Sequence, residues 1–404
     1  MKLRIAMLSV HSCPFGELGA ENTGGMSVYI RELCKALGRR GHIVDVFTRT
    51  HEPIHDQIIE FGQNARLIHF KAGDEEDTSR LKIYPYLSEF SRQVDKFSRQ
   101  NGYHYDLIHS HYWLSGWVGR QLQQWWDIPH VTMFHTLGAV KNAVDTGIRE
   151  PEVRIKSEKE IIKDCHRIIA PTGREKDYLI NYYNASPETI SIIPCGVNLD
   201  IFRIIEKEIA RNSLGFNGEG IILFVGRIVP IKGIDKLFMA LNHLENIERL
   251  RLLVIGGDKN CQDEVNRLRR LSKSLKIESS VTFLGLVEQE KLPYFYSAAD
   301  VCVFPSHYES FGLVALESLA CGTPVVATDV GGIRSVVRDG ETGYIVLDNV
   351  PQLLAEKITL ALSTPRAKTD ASCSIRESVF KFSWSNIAEA TLQEYQTFNG
   401  KKII

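Results

Sequence analysis

Two apolar patterns alternate along the chain. Short unbroken apolar runs, suited to strands buried on both faces, recur at Leu3–Val10, His42–Thr48, Arg66–Phe70, Asp106–His111, Val131–Thr136, Arg167–Ala170 and Ser191–Pro194. Stretches with helical spacing separate them, at Met26–Arg39, Tyr86–Arg99, Leu114–Trp125, Arg154–Lys163 and Arg174–Tyr183. A second series of runs follows, at Gly220–Gly226, Leu252–Gly256, Val281–Leu284, Val301–Phe304 and Val325–Thr328. Its helical partners are Ile234–Leu244, Asp263–Leu275, Lys291–Ala298, Phe311–Cys321, Pro351–Leu362 and Trp384–Phe398. This alternation predicts an α/β protein with parallel, doubly wound sheets. Pro194–Asn198 reads as a hinge, which divides the chain into residues 1–198, residues 199–382 and a closing helical segment, 383–404.

The stretch Val301–Val346 carries the clearest chemistry. A buried strand ends at Pro305, a polar loop runs through Ser310, and Phe311-Gly312-Leu313 opens a helix that Gly322 and Pro324 stop. The amides of Ser310, Phe311, Gly312 and Leu313 lie where a helix presents unpaired donors and the positive end of its dipole, a place that favours phosphate. Glu309 and Glu317 flank them with seven residues between. One carboxylate is placed for sugar hydroxyls and the other for a ribose. For an arbitrary pair so spaced, a solvated loop acid and a surface helical acid would be the simpler reading.

Other motifs follow predicted strands. GRIVPIKG places Arg227 and Lys232 five positions apart around a proline turn, which suits an anion at the carboxyl end of a parallel strand. Fixed cations there stabilise a leaving diphosphate more in the transition state than in the ground state. The spacing is not that of a Walker loop. After the first strand come Gly16, Gly19, Gly24 and Gly25, without the G-x-G-x-x-G order of a dinucleotide site. The adjacent pair Gly24-Gly25 instead points to close approach of the backbone to a ligand. FHTLGAVKN sets His135 and Thr136 at a strand end, and HSHYWLSG sets Tyr112 at another. His109 and His111 are read as alternating across their strand and so unable to face one metal. Arg154 and Glu158, at i and i+4, fit a surface ion pair, and Arg80 stands as an isolated charge.

The bulk numbers narrow the class. At 404 residues, two domains are the natural division. Lys+Arg 48 against Asp+Glu 49 provides no basic field for nucleic acid. Eight scattered cysteines form no metal-binding spacing and read as small buried residues in a reducing compartment. No segment approaches a membrane span, so a cytoplasmic protein is expected.

The block ESFGLVALESLACGTPVVATDVGG resembles the donor-site signature of family 4 retaining glycosyltransferases, which have the GT-B fold, two Rossmann-like domains facing a cleft. GRIVPIKG resembles the diphosphate motif of that family. The resemblance extends along the chain to a branch that holds sucrose-phosphate synthases and the inositol-phosphate N-acetylglucosaminyltransferases of mycothiol biosynthesis. NTGGMSVYIREL, IHSHYWLSGWVG, FHTLGAVKN and VGRIVPIKG are most similar to the latter, and IYPYLSEF to the former.

What this implies is specific. The first domain binds acceptor, the second binds a nucleotide-sugar, and Phe382–Tyr395 resembles the closing helix that returns to the first domain. Arg227, Lys232 and the amides of Ser310–Leu313 meet the donor phosphates, Glu309 the sugar and Glu317 the ribose, with Gly25 also at the donor. His135 lies beside the transferred sugar, as do the matching histidines of the family; with Arg227, Lys232 and Glu309 it forms the expected catalytic set. Gly24, Ser27, Arg80, Tyr112, Thr136 and Arg154 fall at acceptor positions. Arg80 stands where the relatives have Lys, and Ser27 where the inositol-phosphate enzymes have Asn, so acceptor identity is the open item.

The expected activity is retaining hexosyl transfer from a UDP-sugar to a small phosphorylated sugar or polyol. No D-x-D motif is present, so no metal and no cofactor are expected. The partners expected are small molecules, with a homodimer left open. UDP against GDP or ADP is also open, as is a lipid or polysaccharide acceptor. A sugar-nucleotide epimerase on the same fold is the rival enzyme; it would have no use for an acceptor set.

Overall fold

The computed structural model describes residues 2–16, 23–50, 57–74, 79–144, 149–216, 218–257, 261–363 and 369–399. Gly19 and residues 400–404 lie outside them. The chain divides into two compact units. Unit one comprises the described residues of Met1–Gly16, Gly25–Pro194 and Trp384–Ile404, and unit two those of Glu17–Gly24 and Cys195–Ser383.

Unit one is built on eight strands: β1 Arg4–Leu8, β2 Ile43–Arg49, β3 Ile58–Gly62, β4 Ala65–Phe70, β5 Leu107–His111, β6 His130–Met133, β7 Arg167–Ala170 and β8 Ile190–Ile192. Their spatial order is β3-β4-β2-β1-β5-β6-β7-β8. All pair in parallel except β3, which is antiparallel to β4. The central strands read as continuous apolar runs because helices cover both faces; Ile5, Ala6, Met7 and Leu8 are wholly buried. β3 has no such signature. It is a short edge strand, IIEFG, whose residues are all at least partly exposed although two isoleucines and a phenylalanine stand in it.

The helix Trp384–Asn399 belongs to unit one and packs on the helix Gly25–Arg39. Its Trp384 ring lies 5.4 Å from that of Tyr29, and its buried Tyr395 hydroxyl is 2.6 Å from His109 Nδ1.

Unit two has six strands: β9 Gly220–Val225, β10 Leu250–Ile255, β11 Val281–Gly285, β12 Val301–Phe304, β13 Val325–Thr328 and β14 Gly343–Val346. They lie in the order β11-β10-β9-β12-β13-β14, all parallel. One core of Ile222, Phe224, Leu237, Phe238, Val254, Val303 and Ile358 joins sheet to helices.

Topology positions the candidate residues. In a doubly wound sheet the strand order reverses at one point, and the loops leaving the carboxyl ends there diverge and open a crevice. In unit one that point lies between β1 and β5, and in unit two between β9 and β12. The segments that directly follow these four strands hold His11, Tyr112 at the first position of a helix, the segment Gly226–Gly233 and the segment Pro305–Gly312.

Candidate active-site residues in each unit

In unit two, folding joins the two motifs that the sequence keeps far apart. Lys232 Nζ donates to Glu309 Oε2 at 2.5 Å across 77 positions, and the same ammonium lies 5.3 Å from the Phe304 ring centroid. A backbone bond ties the two loops together, and a side chain from beyond β14 holds one of them. His307 N donates to Ile231 O at 2.9 Å, and Asn349 Nδ2 donates to Pro305 O at 2.6 Å. Gly233 has φ +66, and a Cβ there would fall 2.0 Å from Pro305 O, so a larger residue would force the loops apart. A third loop closes on the same place: Gly331 has φ +53, and its Cβ would fall 2.1 Å from Glu309 O.

The helix Leu313–Ala320 starts beside this pair. Glu309 Oε1 accepts from the Ser310 amide at 3.2 Å, while the Phe311 and Gly312 amides find no acceptor among the described residues. The Phe311 ring is buried against Phe382, centroids 6.0 Å apart, so only its backbone can meet a ligand. Arg227 follows β9 in the same loop as Lys232 and is partly buried.

Glu317 is buried, not a surface acid. It lies one helical turn in, accepts from the Tyr296 hydroxyl at 2.8 Å, and burial raises its pKa to about 7 against the opposing effect of that hydrogen bond.

In unit one, Tyr112 is the hub. The Arg154 guanidinium carbon lies 4.8 Å from its ring centroid, and that of Arg80 lies 5.7 Å away. Arg154 Nη2 donates to Thr136 O at 2.7 Å and to Thr136 Oγ1 at 3.0 Å. So Arg80, Tyr112, Thr136 and Arg154 come together, from four separate segments.

Arg154 and Glu158 do not form a surface pair: both are buried, with Nε 2.7 Å from Glu158 Oε1 and Nη1 2.9 Å from Glu150 Oε2. Burial by itself would lower the Arg154 pKa, but Glu158, Tyr112 and Glu150 hold it above its ordinary value. Glu158 is further fixed by the Tyr183 hydroxyl and the Gly138 amide. Arg80 is only half-buried.

Ser27 is wholly buried, its hydroxyl 2.7 Å from that of Ser12 in the loop after β1. His11 of that loop packs on Tyr112, ring centroids 4.4 Å apart. At Gly24 a Cβ would meet nothing within 4 Å, and Gly25 begins the helix that carries Ser27.

His109 and His111 correct the sequence reading. Residues two apart on a strand share a face, and their rings lie 4.3 Å apart. His111 in turn reaches His135, Nδ1 to Nε2 at 2.9 Å, and Met7 Sδ, Nε2 to Sδ at 2.9 Å. This chain of groups was missed because one member is an ordinary core methionine. His135 and Tyr112 both adopt positive φ, +59 and +75, conformations that cost bulky residues energy and gather at ligand sites. Among the described residues no group of three or more His, Cys, Asp or Glu side chains could hold a metal.

The chain is similar to known proteins over nearly its whole length. Residues 206–377 match a family model described as glycosyl transferases group 1, and residues 23–201 match one described as glycosyltransferase family 4. A protein of Catenulispora acidiphila called D-inositol 3-phosphate glycosyltransferase 2 is 38% identical, over 97% of this chain and 94% of that protein. The D-inositol 3-phosphate glycosyltransferase of Geodermatophilus obscurus is also 38% identical, over 97% and 89%. Among solved structures, the sucrose-phosphate synthase of Thermosynechococcus elongatus superposes with TM-score 0.91 at 36% identity, over 99% of this chain and 100% of that one. HepE from Anabaena with UDP and glucose, at 18% identity and TM-score 0.77, shares the fold. The two parallel α/β units are those of the GT-B fold.

Proposed function

The chain belongs to glycosyltransferase family 4, and we propose that it moves a hexosyl unit, with retention of configuration, from a UDP-sugar to a small phosphorylated sugar or polyol. The observation that carries the acceptor class is the cluster Arg80, Tyr112, Thr136 and Arg154 in unit one. Among the described residues, Arg80, Arg154 and Lys141 gather with two carboxylates, Glu150 and Glu158, an excess of one cation that suits an acceptor phosphate. The relatives named for an inositol phosphate and a sucrose phosphate support the same class.

At the donor, Lys232, Arg227 and the amides of Ser310–Leu313 take the diphosphate. Lys232 then leaves Glu309, whose carboxylate turns to the sugar hydroxyls. Glu317 accepts from the ribose and Gly25 approaches the donor through its backbone. Fixed cations take up charge as the phosphate leaves, so no metal or cofactor is required. His135 lies beside the transferred sugar. Arg154, held on three sides, orients Thr136 and Tyr112, while the half-buried Arg80 reaches the phosphate. Gly24 and Ser27 line the acceptor.

The test is product formation from UDP-glucose and UDP-N-acetylglucosamine, each against inositol 1-phosphate and fructose 6-phosphate, read by mass spectrometry. A glycosyl phosphate in any pairing identifies donor and acceptor together. UDP release into water with no product in all four refutes the acceptor class and leaves the donor site standing.

A further inference from the structure

We propose that Met7 and His111 are positioning residues that fix His135 as a hydrogen-bond acceptor at Nδ1, for a hydroxyl of the transferred sugar. The proposal rests on the reading that His135 lies beside that sugar.

The argument is one of proton bookkeeping. Met7 sits in the middle of β1, wholly buried, and its thioether can only accept. His111 Nε2, 2.9 Å away, must therefore carry the proton that points at it. The alternative tautomer would set a nitrogen lone pair against the sulfur lone pairs. His111 is buried, and burial pushes its pKa well below the ordinary value, with His109 and His135 adding to the shift. A neutral imidazole has one N–H, so His111 Nδ1 is bare and can only accept. Its partner there is His135 Nε2 at 2.9 Å, which must donate. His135 is likewise neutral, held below its usual pKa by burial. Its single proton is thus committed to His111, and Nδ1 keeps its lone pair. Among the described residues that Nδ1 has no partner, and the residue keeps part of its surface exposed.

Packing holds the rings in this relation. The Tyr29 ring lies 5.6 Å from that of His111 and 5.3 Å from that of His135, and Tyr29 is itself wedged by Trp384. His135 stands at positive φ just past β6, which turns its side chain back toward His111. A bare imidazole nitrogen accepts from an O–H and repels a phosphate or carboxylate oxygen. The chain therefore selects a sugar hydroxyl for this position and excludes the diphosphate from it.

Two measurements test this. Long-range nitrogen–proton NMR on histidine-labelled protein reads each tautomer directly; His111 and His135 are expected with the proton on Nε2, and a proton on Nδ1 of either overturns the proposal. The substitution Met7→Leu keeps the volume and removes the acceptor, freeing His111 to turn its proton toward His135. UDP release from UDP-glucose should then fall roughly two- to tenfold in kcat/KM, the worth of one hydrogen bond. The loss should vanish against one monodeoxy analogue of UDP-glucose and persist against the others. No loss, or an equal loss with every analogue, overturns the positioning role. Full transfer by His135→Ala would instead remove the premise, while the tautomers of the unaltered protein would stay as assigned. If Met7→Leu does not fold, the spectrum of the unaltered protein still decides.

Discussion

Acid should destabilise unit one through histidines that do no chemistry. His109 and His130 are wholly buried, and burial lowers each pKa to about 3. Unfolded, both return to an ordinary value of about 6.5. Between those values the unfolded state binds more protons than the folded one, so stability rises with pH and is lost as pH falls below about 6.5. From pH 7 to 5.5 each histidine costs about 1.2 kcal/mol by this linkage, or about 2.4 kcal/mol for the pair.

The five tryptophans, Trp113, Trp117, Trp125, Trp126 and Trp384, all lie in unit one, so their fluorescence follows its unfolding alone. Urea melts at the two pH values would be compared for the protein and for His130→Gln, whose amide can take the place of Nε2 beside Ser110 Oγ. Other histidines add to the slope of the unaltered protein, but the difference between the slopes isolates His130. It should be about 1.2 kcal/mol, roughly 0.5 M in urea midpoint. Equal slopes would refute the reasoning, because a histidine already able to protonate in the fold makes no such difference.

Further outcomes follow from the same geometry. Lys232→Ala should lower kcat/KM by about 10²–10³ without altering the circular dichroism spectrum, and normal turnover would contradict the role of that cation. Arg154→Ala leaves buried Glu158 without its cation and should cost unit one about 3–5 kcal/mol in the tryptophan melt, whereas Arg80→Ala should spare stability and raise the acceptor KM. Donor affinity by calorimetry should weaken as pH falls through about 7, where Glu317 gains its proton, and Glu317→Gln should abolish that dependence. The same raised pKa means the folded unit two binds more protons than the unfolded chain between the ordinary carboxyl range and about 7, so its stability should grow as pH falls across that window. Gly331→Ala, with φ +53 and a Cβ at 2.1 Å from Glu309 O, should weaken donor binding while the tryptophan melt stays unchanged.

The sequence by itself determined the fold class, because strands buried on both faces must be apolar throughout and their helical connectors cannot be. It also showed the helix start at Phe311-Gly312-Leu313 and the two motifs that carry Lys232 and Glu309, since those depend on local spacing. The sequence reading passed over β3 and β14, whose apolar runs IIEFG and GYIV are short, and β3 leaves every one of its residues at least partly exposed at the sheet edge.

The tertiary structure alone decided which charges are neighbours. Lys232 meets Glu309 because two parallel strands adjacent in space release their loops on one side of the sheet, a relation that a separation of 77 positions conceals. Arg154 and Glu158 have the spacing of a surface pair, yet the surrounding helices bury them and change their meaning. Met7, His111 and His135 form a chain because β1, β5 and β6 are neighbours in the sheet. A proton's position on an imidazole depends on what lies within about 3 Å of both nitrogens, and no residue's own identity contains that information.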